Sequence, residues 1–148
     1  FISVKDDDKP KVVELGRRFE ELGFEIIATR GTSEYLKRHG INAKMVFKVG
    51  EGRPHIVDMI KNREVSLVVN TTFGAKSIKD SFSIRRSAVS YGIPYFTTIE
   101  GAMAAVKAIK TLKEKGFEVK PLQEYYREAK DGEKAADERG LRKVEKRA

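Results

Sequence analysis

The feature that most constrains the fold is a repeated alternation of short apolar segments with longer segments of helical periodicity. Five segments have the length and composition of β-strands: residues 1–4, 24–29, 43–49, 65–70 and 94–98. Each is followed by a stretch in which apolar residues recur every three or four positions, which is typical of an amphipathic helix. The fourth segment, VSLVVN, is almost wholly apolar, as expected for a central parallel strand covered on both faces. The alternation predicts an α/β fold with three layers and a doubly wound, five-stranded parallel sheet.

Prolines and glycines mark the predicted helix boundaries. The first helix is expected to begin at Pro10 and the third at Pro54, because the fixed backbone angle of proline suits the first helical turn. His39 is placed to cap the last turn of the second helix. Three helices are expected to end at a glycine: Gly23, Gly40 and Gly92. This is the pattern of a flavodoxin-like domain.

The chain is expected to contain one globular domain, residues 1–118, and a C-terminal extension, residues 119–148, that is partly helical or disordered. Residues 130–148 contain almost no apolar side chains, so they have little to bury. The first residue is a phenylalanine rather than a methionine, and we therefore expect the chain to be a piece of a longer polypeptide.

The net charge favours anionic partners, which are nucleotides, nucleic acid or an acidic protein surface. The 148 residues carry a net charge of +8, which attracts anions. Nucleic acid is not an expected partner, because the basic tail mixes both signs of charge and lacks aromatic residues at base-stacking spacing. No signal peptide or membrane-spanning segment is visible, so no membrane partner is expected. The absence of cysteine excludes disulfides and is compatible with a cytoplasmic location.

Polar residues collect at the carboxyl ends of the five predicted strands. Open parallel sheets bind ligands at this edge, where strands distant in sequence converge. Two of the residues are lysines, one is an asparagine and the others carry hydroxyls. The residues that share this position, with Ser81 placed at the start of the fourth helix, are Lys9, Thr29, Thr32, Lys48, Asn70, Thr71, Thr72, Ser81 and Thr97.

Each of these residues also has an ordinary explanation when it is taken alone. Thr32 and Ser81 are suited to cap helices, and single lysines are usually solvated surface residues. Together they predict a site for a phosphorylated small molecule. In this hypothesis the amino end of the second helix holds the phosphate, and Lys9 and Lys48 balance its charge. Asn70 and Thr72 then bind polar atoms of a sugar or ring.

Several other site templates are excluded by the sequence. It contains neither the P-loop pattern GxxxxGK followed by Ser or Thr nor the dinucleotide-binding pattern GxGxxG. His39 and His55 lie far apart and no cysteine is present, so no metal site is expected. No order of Ser, His and acidic residues suggests a catalytic triad, and no catalytic residue is predicted.

Four segments closely resemble the carboxy-terminal allosteric domain of carbamoyl-phosphate synthetase large subunits, a domain of the methylglyoxal synthase-like superfamily. They are ATRGT at 28–32, KVGEGRPHIVDMIKN at 48–62, LVVNTT at 67–72 and SIRRSAVSYGIPYFTT at 83–98. The resemblance extends over residues 1–126 and implies a sheet with strand order 3-2-1-4-5. It also implies a cytoplasmic parent enzyme that makes carbamoyl phosphate from bicarbonate, glutamine-derived ammonia and two ATP. The parent uses Mg or Mn and a glutaminase small subunit, whereas the domain itself has no cofactor.

The resemblance also implies a ligand and the residues that bind it. Bacterial members bind UMP as inhibitor and IMP as activator in this domain. The phosphate-contacting positions fall on Lys9, Thr29 and Thr32, with Lys48 also facing the nucleotide, and Arg30 is not among them. Asn70, Thr71, Thr72 and Ser81 line the rest of the pocket, and Thr97 matches a threonine that reaches toward an ornithine site. One departure is Gly50, where familiar bacterial members carry histidine.

The enzyme branch of the superfamily supplies the alternative function. Methylglyoxal synthase removes a proton from dihydroxyacetone phosphate with an aspartate in the loop after the third strand. In this sequence that position is Pro54, which cannot accept a proton. Glu51 and Asp58 are the nearest substitutes, one expected in a solvated loop and the other a full turn into the third helix. The domain is therefore predicted to bind a ligand without catalysing a reaction itself.

Overall fold

The computed structural model describes residues 1–72, 75–117, 119, 121–124 and 126, with the backbone alone over 75–80. The chain divides into two compact units, Phe1–Glu114 and Lys115–Ala148. Within the second unit, residues 122–124 are helical, and the backbone N–H of Glu124 donates to the carbonyl of Pro121. The expected disorder of residues 130–148 lies outside the described residues, and the domain limit at residue 118 stays a prediction.

The first unit alternates strands with helices along the chain. A short 3-10 helix, Asp6–Asp8, precedes the first α-helix. The elements are β1 Ile2–Ser3, α1 Lys9–Glu21, β2 Ile26–Ala28, α2 Arg30–Arg38, β3 Ala43–Met45, α3 Ile56–Lys61, β4 Val68–Asn70, α4 Ala75–Ser90, β5 Tyr95–Phe96 and α5 Ile99–Lys115.

The strands form one parallel sheet in the order β3-β2-β1-β4-β5, which confirms the predicted architecture. Ile2 on the central strand β1 lies opposite Ala28 on one side and Val69 on the other. Strand order reverses at β1, because the chain adds β2 and β3 on one side and β4 and β5 on the other. Such a reversal opens a crevice at the carboxyl ends of the strands around it.

Helices cover both faces of the sheet and create two apolar clusters. Val12 and Leu15 of α1 share one cluster with Leu36 of α2 and with α5. The second cluster contains apolar residues of α3 and α4. The neighbouring residues Val68 and Val69 belong to different clusters, because successive side chains of a strand point to opposite faces. The sheet is therefore the middle of three layers.

Glycine ends three helices as predicted, and His39 caps the second. Gly23, Gly40 and Gly92 have φ angles of 82°, 79° and 67°, in the left-handed region that glycine adopts most easily. His39 is the C-cap residue of α2, and its Nδ1 lies 2.9 Å from the carbonyl oxygen of Tyr35 in the last turn.

Two predicted boundaries around the third strand are wrong. β3 ends at Met45 rather than at residue 49, because the chain leaves the ladder and Phe47 pairs with His55 in an isolated parallel bridge. Lys48 consequently lies in a turn rather than at the end of a strand. α3 begins at Ile56 rather than at Pro54, because the His55 side chain caps it.

Two predicted helix caps are also wrong. α2 begins at Arg30 with Thr29 as its N-cap, so Thr32 is the third helical residue and not the cap. α4 begins at Ala75, because no glycine or proline interrupts residues 75–80, and Asp80 and Ser81 therefore lie inside it. Ser81 is buried there rather than placed at the helix start.

Candidate functional site

A cleft of about 210 Å³ lies at the carboxyl ends of β1 and β2, beside the first turn of α2. All four residues of the predicted phosphate site line it: Lys9, Thr29, Thr32 and Lys48. The other residues that line it are Val4, Asp6, Arg30, Gly31 and Glu51. Residues from three separate loops thus converge at one edge of the sheet, as the strand-end argument requires.

Lys9 reaches the cleft from the first position of α1. Its Nζ atom lies 2.6 Å from Oδ1 of Asp6, and the Lys9 side chain is only 25% exposed. A Cβ atom built on Gly31 would lie 3.7 Å from the same Nζ atom, so the ammonium group is adjacent to the first turn of α2. The hydrogen bond from Lys9 lowers the pKa of the Asp6 carboxyl below its ordinary value. A cation is therefore held where the α2 backbone begins.

The amino end of α2 supplies backbone donors to the same cleft. Thr29, the N-cap residue, is extended with φ −63° and ψ 155°, and its side chain makes no capping hydrogen bond. The backbone N–H of Ser33 donates to the Thr29 carbonyl at 2.8 Å and so begins the helical hydrogen bonds. The earlier N–H groups of a helix have no carbonyl one turn back to pair with, and together with the helix dipole they favour an anion.

Hydroxyl groups join α2 to the end of β1. Thr32 is buried, and its Oγ1 accepts a hydrogen bond from the backbone N–H of Val4 at 3.2 Å. Oγ1 of Thr29, also buried, donates to Oγ of Ser3 at 3.3 Å and lies 3.4 Å from Oγ1 of Thr32. This chain of short contacts fixes two hydroxyls on the wall of the cleft. Thr32 thus ties two elements together instead of capping its own helix.

Lys48 approaches from the loop between β3 and α3. The backbone N–H of Lys48 donates to Oε2 of Glu51, and the N–H of Glu51 donates to the Lys48 carbonyl, both at 3.1 Å. Gly50, inside this turn, has a φ of 87°, a conformation that favours glycine. The turn rather than the sheet ladder therefore positions Lys48.

The predicted sugar and base pocket lies at the end of β4, outside the walls of this cleft. Asn70 is buried, and its Nδ2 donates to the Tyr95 hydroxyl at 2.8 Å. Oγ1 of Thr71 accepts from the backbone N–H of Lys5 at 3.1 Å, which ties β4 to the loop after β1. Thr72 is partly exposed, directly after these residues. Because β4 neighbours β1, this group adjoins the cleft along the same sheet edge.

Ser81 and Thr97 are less closely associated with the cleft. Ser81 is buried in the second turn of α4. Thr97 is exposed directly after β5, the strand at the edge of the sheet, and β4 separates β5 from β1, the nearer of the two strands at whose ends the cleft lies. Its neighbour Thr98 caps α5, since Oγ1 accepts from the backbone N–H of Gly101 at 3.1 Å. A ligand contact by Thr97 would therefore belong to a different part of the surface.

Sequence reasoning missed two residues: Asp6, which lines the cleft and is paired with Lys9, and Ser3, which is hydrogen-bonded to Thr29 of the cleft wall. Ser3 and Asp6 could have been found from their positions in the sequence, because Ser3 lies at the end of the first strand and Asp6 precedes Lys9 in the same loop. Arg30, which the sequence predicts to be a surface or rim residue, is exposed and forms part of the wall. Arg30 lies beside the cleft because it is the first residue of α2, one position after the N-cap residue.

The acidic residues near Pro54 are committed to structural hydrogen bonds. Oδ2 of Asp58 accepts from the backbone N–H of His55 at 3.1 Å, and Nδ1 of His55 accepts from the N–H of Asp58 at 3.3 Å. This reciprocal pair caps α3 and lowers the pKa of the Asp58 carboxyl, chiefly through the hydrogen bond from the His55 backbone. Glu51 is exposed and bonded to the Lys48 backbone. A carboxylate with a lowered pKa is a weaker base, which disfavours proton abstraction by Asp58.

A larger cavity, about 520 Å³, lies at the opposite, amino edge of the sheet. Its lining includes Phe1, Phe19, Phe24, Met59 and Leu67, together with both acidic and basic residues. It does not gather several cations around a helix amino terminus, so its chemistry does not suit a phosphate.

No group of three or more His, Cys, Asp or Glu side chains that could hold a metal ion occurs among the residues that the structure describes. Over the same residues, the helices are too short or too polar to cross a lipid bilayer.

The strand order, with its reversal at β1 and the cleft at the carboxyl edge, defines a flavodoxin-like α/β domain. The family model for the MGS-like domain matches residues 11–97, and the chain belongs to this family. Within it, the chain is similar to carbamoyl phosphate synthase large chains. It is 56% identical over 125 residues to that of Myxococcus xanthus, which covers 84% of this chain and 12% of the relative.

Two further relatives come from other lineages. The C-terminal section of the carbamoyl phosphate synthase large chain of Aquifex aeolicus is 53% identical over 131 residues, 85% of this chain and 24% of the relative. The large chain of Archaeoglobus fulgidus is 46% identical over 130 residues, 87% of this chain and 12% of the relative. The chain thus spans a quarter or less of the length of these curated relatives.

Proposed function

We propose that the chain is the effector-binding, regulatory domain of a glutamine-dependent carbamoyl-phosphate synthase large chain. Its ligand is a nucleoside monophosphate, with UMP as inhibitor and IMP as activator. The observation that carries this proposal is the convergence of Lys9 and Lys48 with the buried hydroxyls of Thr29 and Thr32 at the amino end of α2. The similarity to carbamoyl phosphate synthase large chains supports the choice of parent enzyme.

In this proposal the phosphate of the ligand binds at the first turn of α2. Backbone N–H groups and the Thr32 hydroxyl donate to its oxygens, and the Thr29 hydroxyl does so by rotating its proton away from Ser3. Lys9 and Lys48 neutralise its charge. Asn70, Thr71, Thr72 and Ser81 bind the sugar and base. The hydrogen bond from Nδ2 of Asn70 to Tyr95 fixes the plane of the amide, and so prepares it for a directional contact.

Regulation follows if the ligand shifts loops that contact a neighbouring synthetase domain of the parent chain. A coupling free energy of about 1–3 kcal/mol between the two sites is typical of allosteric proteins. Thr97 lies apart from the cleft and is proposed to face the ornithine side of that contact. The parent enzyme would use ATP with Mg or Mn, associate with a glutaminase small subunit and supply the pyrimidine and arginine pathways in the cytoplasm.

The alternative function, a methylglyoxal synthase acting on dihydroxyacetone phosphate, uses the same phosphate site. It is disfavoured because Pro54 occupies the position of the catalytic base and Asp58 is held in the cap of α3. The two functions differ in a simple observable, since only the synthase releases methylglyoxal.

The test is calorimetric titration of the chain with UMP, IMP and dihydroxyacetone phosphate, together with an assay for methylglyoxal. We expect nucleotide binding without product. Lys48→Ala should weaken UMP binding about 10- to 100-fold, because a hydrogen bond to a charged group contributes about 1.5–3 kcal/mol. The matched control is Lys44→Ala, which removes an exposed lysine that pairs with Glu25 away from the cleft. Product formation, or equal losses in the two variants, would contradict the proposal.

A further inference from the structure

One of the residues that line the cationic cleft, Asp6, carries a negative charge. Oδ1 of Asp6 lies 2.6 Å from Nζ of Lys9, and both residues line the cleft beside α2. The ammonium group of Lys9 is in turn adjacent to Gly31, in the first turn of that helix. The Asp6 carboxylate therefore interacts with the cation that a bound phosphate would need.

The Asp6 side chain can move away from Lys9 without disturbing the core. It is 91% exposed and belongs to the short 3-10 helix Asp6–Asp8, whereas the Lys9 side chain is mostly covered. Because the Asp6 side chain is almost fully exposed, moving its carboxylate away from Lys9 changes its contact with solvent little. Its hydrogen bond to Lys9 lowers the pKa of Asp6, so the carboxylate stays charged in neutral solution.

The other charged groups that face the cleft are Arg30, Lys48 and Glu51. Glu51 accepts a hydrogen bond from the backbone of Lys48 rather than from a cationic side chain. Among the residues that the structure describes, Asp6 is therefore the cleft carboxylate that forms an ion pair with a cation of the cleft.

We propose that Asp6 is an internal competitor for the ligand: its carboxylate pairs with Lys9, and the phosphate of the ligand displaces it. The proposal rests on the proposed function, because it assumes that the cleft binds a phosphate. Asp6 then lowers the affinity for phosphate ligands by a common factor, since each of them has to break the same ion pair. Asp6 thus raises the ligand concentration that is needed to occupy the site.

The opposite role for Asp6 has a distinguishable consequence. If its carboxylate instead oriented Lys9 for the ligand, its removal would weaken binding. A competitor strengthens binding when it is removed, so the sign of the change separates the two roles.

The experiment compares Asp6→Asn with Asp7→Asn by calorimetric titration of UMP and inorganic phosphate near physiological salt. Asp7 is also exposed, lies in the same 3-10 helix and carries the same charge, but Asp6 makes the contact with Lys9. The control thus accounts for the change in net charge, and salt screens its long-range part. We expect Asp6→Asn to bind both ligands about two- to fivefold more tightly than Asp7→Asn does, as the loss of an exposed ion pair allows.

Three results would overturn the proposal. Binding by Asp6→Asn that is equal to or weaker than that of Asp7→Asn excludes a competitor, while the proposed function survives if the wild type binds UMP. A gain for UMP without a gain for inorganic phosphate places the effect elsewhere in the pocket. Failure of the wild type and both variants to bind UMP, IMP or phosphate overturns the proposed function as well. Thermal unfolding of the free variants should remain near wild type, which excludes a general change in the fold.

Discussion

At the scale of single residues, the cleft depends on side chains that serve the fold and the proposed site together. Thr32 is the clearest example, because its hydroxyl accepts from the Val4 backbone and also faces the cleft. The sequence predicts Thr32 as a helix cap, but in the structure it is the third residue of α2 and lines the cleft. A threonine near the start of a helix is most often a cap, and only the three-dimensional approach of β1 makes it a link between elements.

Replacing Thr32 by valine tests this double role. Valine keeps the shape but leaves the Val4 N–H without its acceptor, so we expect the free energy of unfolding to fall by about 1–3 kcal/mol. Urea denaturation followed by circular dichroism measures the change. Thr32→Ser keeps the hydroxyl and should recover much of the loss in stability and of the accompanying loss in UMP affinity.

The control for this substitution is Thr111→Val on α5. Its hydroxyl donates to the Lys107 carbonyl on an exposed helix surface. A change within about 0.5 kcal/mol is expected there. Equal losses at the two positions would show that the buried contact with Val4 is unimportant.

At the scale of elements, helix positions could be predicted better than strand lengths. Apolar periodicity and glycines placed α1 and α2 well, because the same glycines adopt the left-handed conformation that ends a helix. The apolar segment 43–49 was taken for one strand, yet only Ala43–Met45 belong to the ladder. Burial makes a residue apolar whether or not its backbone pairs with a neighbouring strand, so composition alone could not locate that end.

The cap of α3 gives a prediction about acid stability. The pKa of Asp58 is lowered in the folded state, so its carboxylate stabilises the fold above the ordinary pKa of an aspartate, about 3.9. This contribution is lost as the pH falls through the lower, folded-state value. Asp58→Asn can still accept from the His55 N–H but cannot titrate.

We therefore expect the stability difference between wild type and Asp58→Asn to be largest near neutral pH and to narrow in acid. Chemical denaturation at several values between about pH 5 and pH 2 measures it. Among the residues that the structure describes, the other carboxylates with lowered pKa values are Asp6, Glu25 and Glu100; they are present in both proteins and cancel in the comparison. A difference that does not change with pH would contradict the role of the charged cap.

At the scale of the whole first unit, most of the apolar core lies on the two faces of the sheet, whereas the proposed site lies at its carboxyl edge. The architecture and this edge were predictable from the alternation of elements. The sequence could not predict that the polar residues form two groups, because that depends on where the loops turn. One group lines the cleft, and the other follows β4; the residues of the first are Lys9, Thr29, Thr32 and Lys48.

Ligand binding should stabilise the whole first unit, because the cleft joins β1, α1, α2 and the loop after β3. At a UMP concentration of 100 times its Kd, the free energy of unfolding should rise by about 2.7 kcal/mol. Urea denaturation with and without UMP measures this gain. Uridine, which lacks the phosphate, should give little stabilisation, and an equal effect of uridine would contradict phosphate recognition by the cleft.

The backbone conformation of Gly50 bears on how ligand preference is inherited. The space around its Cα is open, so a larger side chain would meet no steric obstacle, but φ of 87° is unfavourable for any residue with a Cβ atom. A lineage that places histidine there must either accept strain or rebuild the turn that positions Lys48. A substitution at this one position is therefore expected to move Lys48, the cation two residues earlier, as well. If the cleft binds the proposed effector, the turn has to be exchanged as one segment for Lys48 to keep its place.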